Sequence, residues 1–234
     1  MKLPPLIRAT LIRRYKRFLA DVRFDDGRET TVHCPNPGSM MGLKDEGLPV
    51  WLSKSDNPKR KLAYTLELVE ADGDLVAINT NNPNTLAEEA IRTGVIKELA
   101  GDSTLRREVR YGENSRVDIL LETSSGAKTF VEVKNCHLMR TPGLAEFPDS
   151  VTSRGAKHLR DLSAEVAAGH GAAMLFIVQR NDCTAFDTAP DLDPVYHAGL
   201  REAVDLGVEI LVYRCHITKE DITVTGSIPW RRTD

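Results

Sequence analysis

Seven consecutive apolar residues at positions 172–178 (AAMLFIV) constrain the fold more than any other stretch of the chain. A half-exposed strand alternates apolar with polar side chains, so an unbroken run of this length belongs to a strand covered on both faces. It falls far short of the roughly 20 apolar residues that cross a bilayer. No other stretch reaches that length, and the opening MKLPPLIRATLIRR lacks an apolar h-region. The chain is therefore expected to be cytoplasmic, with no membrane partner.

Neighbouring segments supply the cover. Residues 152–168 read as a helix with Leu159, Leu162 and Val166 on one face, stopped by Gly169. Asp193-Pro194 opens a second helix, with Asp as N-cap and Pro in the first turn, ending at Gly207 before a strand over 208–213. Strand, crossover helix and strand imply parallel pairing. Upstream, Thr85-Leu86-Ala87-Glu88 reads as a capping box for a helix to about Leu99. Strands are expected at 105–111, 116–122 and 129–135.

The first 80 residues follow a different rhythm of short alternating strands separated by DDG, PNPGS, DNP and ADGD turns. The reading is a small OB-like β-barrel. The polar stretch NTNNPN (79–84) marks the boundary, giving an OB-like nucleic-acid-binding domain over 1–82 and an α/β domain with a central mixed sheet over 83–234. The loop 36–40 (NPGSM) could approach an active site from the first domain, but its ordinary reading is a tight turn between barrel strands, which leaves it outside the catalytic set.

The chemistry concentrates in two strands, RVDILLE and TFVEVKN, joined by TSSGAK. Side chains alternate, so Glu132 and Lys134 share one face of the second strand while Val131 and Val133 take the other. A hairpin symmetric about Ser125 sets Asp118 opposite Glu132, with Cβ atoms about 5 Å apart. Two carboxylates so close favour a divalent cation between them. Mg²⁺ (or Mn²⁺) suits such a set, with Asp118, Glu132 and the carbonyl of Val133 as ligands and water and a substrate phosphate completing the shell. Lys134 would then position the water or offset charge on the phosphorane. By pattern alone, a surface hairpin in which Lys134 screens two acids fits equally well.

Composition narrows the partners. A formal net charge of -3 excludes a protein that coats nucleic acid by bulk attraction. A local patch remains: Arg13, Arg14, Lys16 and Arg17, interleaved with Tyr15 and Phe18, suit phosphates and stacked bases, or form a solvated strand face. Arg154, Lys157 and His158 stand at i, i+3 and i+4 of one helix, another phosphate contact or basic solvent face. Cys34, Cys136, Cys183 and Cys215 lack a CxxC pair and read as reduced thiols. Three adjoin a histidine, but neighbours on a strand point to opposite faces, so zinc is not expected.

The order of elements, with Asp118…Glu132-Val133-Lys134 on the second and third strands, resembles the PD-(D/E)xK nuclease core. That resemblance implies that an acid on the first helix, Glu89, completes the metal site. Longer blocks go further. HCPNPGSM, YGENSRVDILL, FVEVKN, FPDSVTSRGAKHLRDL and GVEILVYR resemble the sugar fermentation stimulation protein A (SfsA) family over nearly the whole chain. The resemblance implies an OB-like domain followed by a nuclease-like domain, DNA as partner, and a link to sugar, notably maltose, metabolism. Two functions follow as expectations: a Mg²⁺-dependent nuclease hydrolysing phosphodiester bonds, or a non-catalytic DNA-binding regulator. Homo-oligomerisation is left open.

Overall fold

A computed structural model describes residues 1–112 and 115–233, so Glu113 and Asn114 of the YGENSRVDILL block lie outside the described residues. Six strands make the first unit: β1 (Leu6–Tyr15), β2 (Leu19–Phe24), β3 (Glu29–His33), β4 (Pro49–Lys54), β5 (Tyr64–Ala71) and β6 (Asp74–Ala77). Their order is β3-β2-β1-β4-β5-β6, and β3 also meets β5 at His33 and Thr65, so the sheet curls round on itself. Inward-facing residues such as Leu11, Val22, Val32, Leu52 and Leu66 fill the interior.

The second unit begins with α1 (Pro83–Arg92), followed by β7 (Ser103–Tyr111), β8 (Ser115–Thr123), β9 (Lys128–Cys136), β10 (Leu138–Thr141), β11 (Leu144–Phe147) and α2 (Ser153–Ala167). It continues with β12 (Gly171–Val178), β13 (Ala185–Thr188), α3 (Pro194–Asp205), β14 (Glu209–Ile217) and β15 (Ile222–Ser227). Strands run β15-β14-β12-β9-β8-β7 across the main sheet, with β12 parallel to both β9 and β14. The apolar run forms β12 and is buried on both faces. Ala173, Leu175 and Ile177 pack with α1, while Ala172, Met174 and Phe176 pack with α2 and α3. A separate sheet, β10-β11-β13, was not expected from the sequence.

Three local expectations need correction. Helix α1 starts at Pro83 with Asn82 as N-cap and no side-chain cap bond, so the Thr85–Glu88 capping box does not form. Proline at the first position removes a donor that would need a cap. Glu88 instead pairs with Arg92 and Arg107. The helix also ends at Arg92, because Thr93 and Gly94 (φ 75°) turn the chain before Leu99. Finally, the connection between β3 and β4 is a long excursion rather than a tight turn, and it crosses to the second unit.

The two units are stitched together. Leu68 and Ala77 join the core beneath α1, Ala77 N–H donates to the Gln179 carbonyl, and buried Arg180 pairs with Asp72 and Asp182. Among the described residues no helix is long and apolar enough to cross a membrane.

Candidate functional site

Register makes the site. The β8–β9 pairs Ile119↔Val131, Leu120↔Phe130, Leu121↔Thr129 and Glu122↔Lys128 centre the hairpin on Ser125, as the sequence suggested. One further step sets Asp118 beside Glu132. Asp118 is anchored at both oxygens: Oδ2 accepts the Val133 N–H at 2.8 Å, and Oδ1 accepts Asn84 Nδ2, from the first turn of α1, at 2.8 Å.

Glu132 is 2% exposed. Its Oε1 accepts from Lys134 Nζ at 2.8 Å and pairs with His158 Nδ1, while Oε2 is buried without a hydrogen-bond partner. Arg154 Nε donates to His158 Nε2 at 3.3 Å, so the ring carries its proton on Nδ1, toward Glu132. Lys134 Nζ also lies 3.2 Å from His158 Nδ1.

The two acids hold their protons differently. Burial and then the neighbouring Glu132 charge push the Asp118 carboxyl up, against the Val133 amide, Lys134 and Asn84. Burial also pushes Glu132 up, but Lys134 and His158 outweigh it and hold that carboxyl below its ordinary value. Glu132 thus carries the firm negative charge, while among the described residues Asp118 forms no ion pair within 4 Å and feels Lys134 only at longer range. A cleft of about 350 Å³ opens over them, with Lys134, Arg154 and His158 on one side and Pro37 and Thr80 reaching in from the first unit.

The remaining sequence candidates divide. Val133 lines the cleft with its amide committed to Asp118. Arg154 stands at the rim, but His158 is buried with its ring nitrogens engaged, so it orients Glu132 rather than reaching a phosphate. Lys157 is drawn off by Ser115 and Asp161, at 2.5 and 2.7 Å. Glu89 is not brought to the acids: it pairs with the Met1 ammonium at 2.9 Å and is half exposed. The α1 residue at the site is Asn84, nearer the helix start.

In the N-terminal patch, Arg13 is bonded to Asp21 at 2.8 Å. Arg14 is structural: its Nη2 donates to the carbonyls of Arg17, Asn36 and Gly38, which pins the 35–40 segment. Lys16 and Arg17 are exposed at a turn where both have positive φ.

Sequence reasoning missed Asn84, Thr80, Asn135 and Thr152 as cleft residues and left the Pro37 loop outside the catalytic set. Asn84 and Thr80 were absorbed into a boundary turn, and Pro37 into a loop, because neutral turn-forming residues carry no chemical signature. The one available hint was the HCPNPGSM block. The pinned segment continues into the second unit, where Met40 N–H donates to Asp149 Oδ2 at 3.1 Å and His137 Nε2 lies 3.5 Å from the same oxygen. Burial pushes the Asp149 carboxyl up, but the nearby His137 and the hydrogen bonds from Met40 and Ser150 pull it further down, to about 2. Among the described residues no group of three or more His, Cys, Asp or Glu side chains is arranged to hold a metal ion by itself, and all four cysteines are free thiols.

Comparison with known proteins follows the same division of the chain. The family model described as "SfsA N-terminal OB domain" matches residues 12–78, and that described as "Sugar fermentation stimulation protein RE domain" matches residues 81–221. A sugar fermentation stimulation protein homolog of Rhodospirillum centenum is 59% identical over 97% of this chain and 98% of its own length. That of Maricaulis maris is 56% identical over 96% of each. The solved structure titled "The structure of Pyrococcus Furiosus SfsA in complex with Ca2+" superposes with a TM-score of 0.89 at 29% identity, covering 99% of this chain and 98% of that one.

Proposed function

This chain belongs to the sugar fermentation stimulation protein family, and from its acid cleft we propose that it binds DNA and hydrolyses phosphodiester bonds with the help of a divalent cation. The observation that carries this reading is the pairing of a buried, unpartnered Glu132 Oε2 with an Asp118 carboxyl pushed toward protonation. A buried carboxylate oxygen without a donor is costly, and a second acid beside it raises the cost. A cation facing both relieves each. The donors are all oxygen, which fits Mg²⁺ or Mn²⁺, and the Pyrococcus relative was solved in complex with Ca²⁺, an ion of the same oxygen-seeking kind.

Asp118 and Glu132 would hold the ion, with the Val133 carbonyl as a further ligand. Bound there, it would supply Lewis-acid polarisation of the phosphodiester. The protein's own groups do the rest. The Val133 amide and Asn84 fix the orientation of Asp118, and His158 fixes that of Glu132. Lys134, with its ammonium beside Glu132, offsets charge that develops on the phosphoryl oxygens. Arg154 and the positive end of α2 border the cleft where a phosphate would lie.

The test is cleavage of labelled single-stranded, double-stranded and branched DNA and RNA with Mg²⁺ or Mn²⁺, beside Glu132→Gln and Lys134→Ala proteins purified identically. Cleavage by the parent alone supports the proposal. DNA binding without cleavage replaces it with a non-catalytic DNA-binding regulator.

A further inference from the structure

Beyond the acid cleft lies a second one of about 290 Å³, and the two share Pro37, Thr80, Asn135 and Thr152. Together they form a trough crossing from the second unit to Arg17 on the first. Each cleft has roughly the volume of a small-ligand site. The distribution of charge along the trough is uneven. Asp118 and Glu132 stand with Lys134 at one end of the trough, Asp149 lies further on beside His137, and neutral Pro37, Thr80, Asn135 and Thr152 lie between. Its exposed guanidiniums stand at the two ends, Arg154 and Arg17.

Phosphates are drawn to the cations at the two ends, Lys134 and Arg154 beside the acids and Arg17 at the other, rather than to the neutral wall between them. Sugars and bases, by contrast, fit a concave neutral wall. A base inside a duplex is stacked and paired, and it enters a cleft only by extrusion at a cost of a few kcal/mol. Beside Arg17, Phe18 is 45% exposed, with the Arg17 guanidinium 5.8 Å from its ring centre. An exposed aromatic flanked by a cation at the mouth of a groove is what stacks an unpaired base.

We infer that the trough receives an unpaired nucleic-acid strand, with Arg17 on a phosphate and Phe18 stacked on a base some way from the acid end. This deepens the proposed function by naming its substrate class, and it rests on that reading for what happens at the acids. The binding itself can be tested separately. Phe18 and Arg17 are exposed and neither belongs to a core cluster, so their replacement is expected to leave the fold intact.

The experiment is fluorescence anisotropy with one labelled oligonucleotide, presented as a single strand and as a blunt duplex, in EDTA and again in Ca²⁺. The expected result is tighter binding of the single strand. Phe18→Ala should weaken it about tenfold, and Arg17→Ala should reduce the slope of log affinity against log salt by about 0.7. Equal or tighter duplex binding overturns the inference, as does unchanged affinity in both variants or no binding of the single strand in either buffer. Strand binding through Arg17 and Phe18 without cleavage would sink only the hydrolase reading. Cleavage that is indifferent to both variants would sink only this one.

Discussion

Replacing Gly38 with alanine would put a methyl carbon 2.5 and 2.7 Å from the two carboxylate oxygens of Asp149, closer than side-chain carbons ever pack. The backbone itself raises no objection, since Gly38 is not among the glycines with positive φ. Neither wall can yield freely. The Gly38 carbonyl is held by Arg14 at 2.9 Å and its N–H by Asn36 Oδ1 at 2.9 Å. Asp149 is held by the Met40 amide at 3.1 Å and the Ser150 hydroxyl at 3.2 Å, and it faces buried His137. Displacing the carboxylate forfeits bonds to a charged group, each about 1.5–3 kcal/mol.

With partial relaxation, Gly38→Ala should cost about 2–4 kcal/mol in urea denaturation, and Tm should fall by roughly 5–15 °C for a chain of this size. The source of the cost is testable by a double-mutant cycle. In an Asp149→Ala background the obstructing atoms are gone, and Gly38→Ala should cost less than about 1 kcal/mol. Equal cost in both backgrounds would refute the steric reasoning. So would a Gly38→Ala protein within about 0.5 kcal/mol of the parent.

Three further outcomes follow from the same geometry. Asp118 has a raised carboxyl pKa in the fold, so its ionisation favours unfolding as pH rises from the ordinary value through the folded one. Asp118→Asn should therefore raise Tm by a few degrees in EDTA at pH 7, yet abolish any rise in Tm on adding Mg²⁺ or Mn²⁺; thermal scans with and without the ion decide it. Asp149 is the opposite case, held at about 2 against an ordinary 3.8, so its stabilisation is present above 3.8 and lost as pH falls through about 2. Parent and Asp149→Asn should differ by about 2 kcal/mol at pH 7 and converge toward pH 2 in urea titrations, and a gap that does not change with pH would be incompatible with the linkage. Arg14→Ala should cost about 2–4 kcal/mol through three lost carbonyl contacts, while the salt slope of strand binding stays where it was; a shallower slope would make Arg14 a phosphate contact.

Much of this protein is written in local patterns. Seven apolar residues fixed β12 as a doubly covered strand, Asp193-Pro194 fixed the start of α3, and period-two alternation with a short turn fixed the register that sets Asp118 beside Glu132. Such features are legible because their cause lies within a few residues: side-chain direction, a cap, a proline ring. Asn84 on Asp118, the diversion of Glu89 to Met1, the commitment of Arg14 to backbone carbonyls and the pairing of Lys157 with Asp161 were not legible. Sequence determined which residues could do chemistry. Tertiary structure decided which of them meet, because a charged or amide side chain has many acceptable partners, and only the packing of two units against one sheet selects among them.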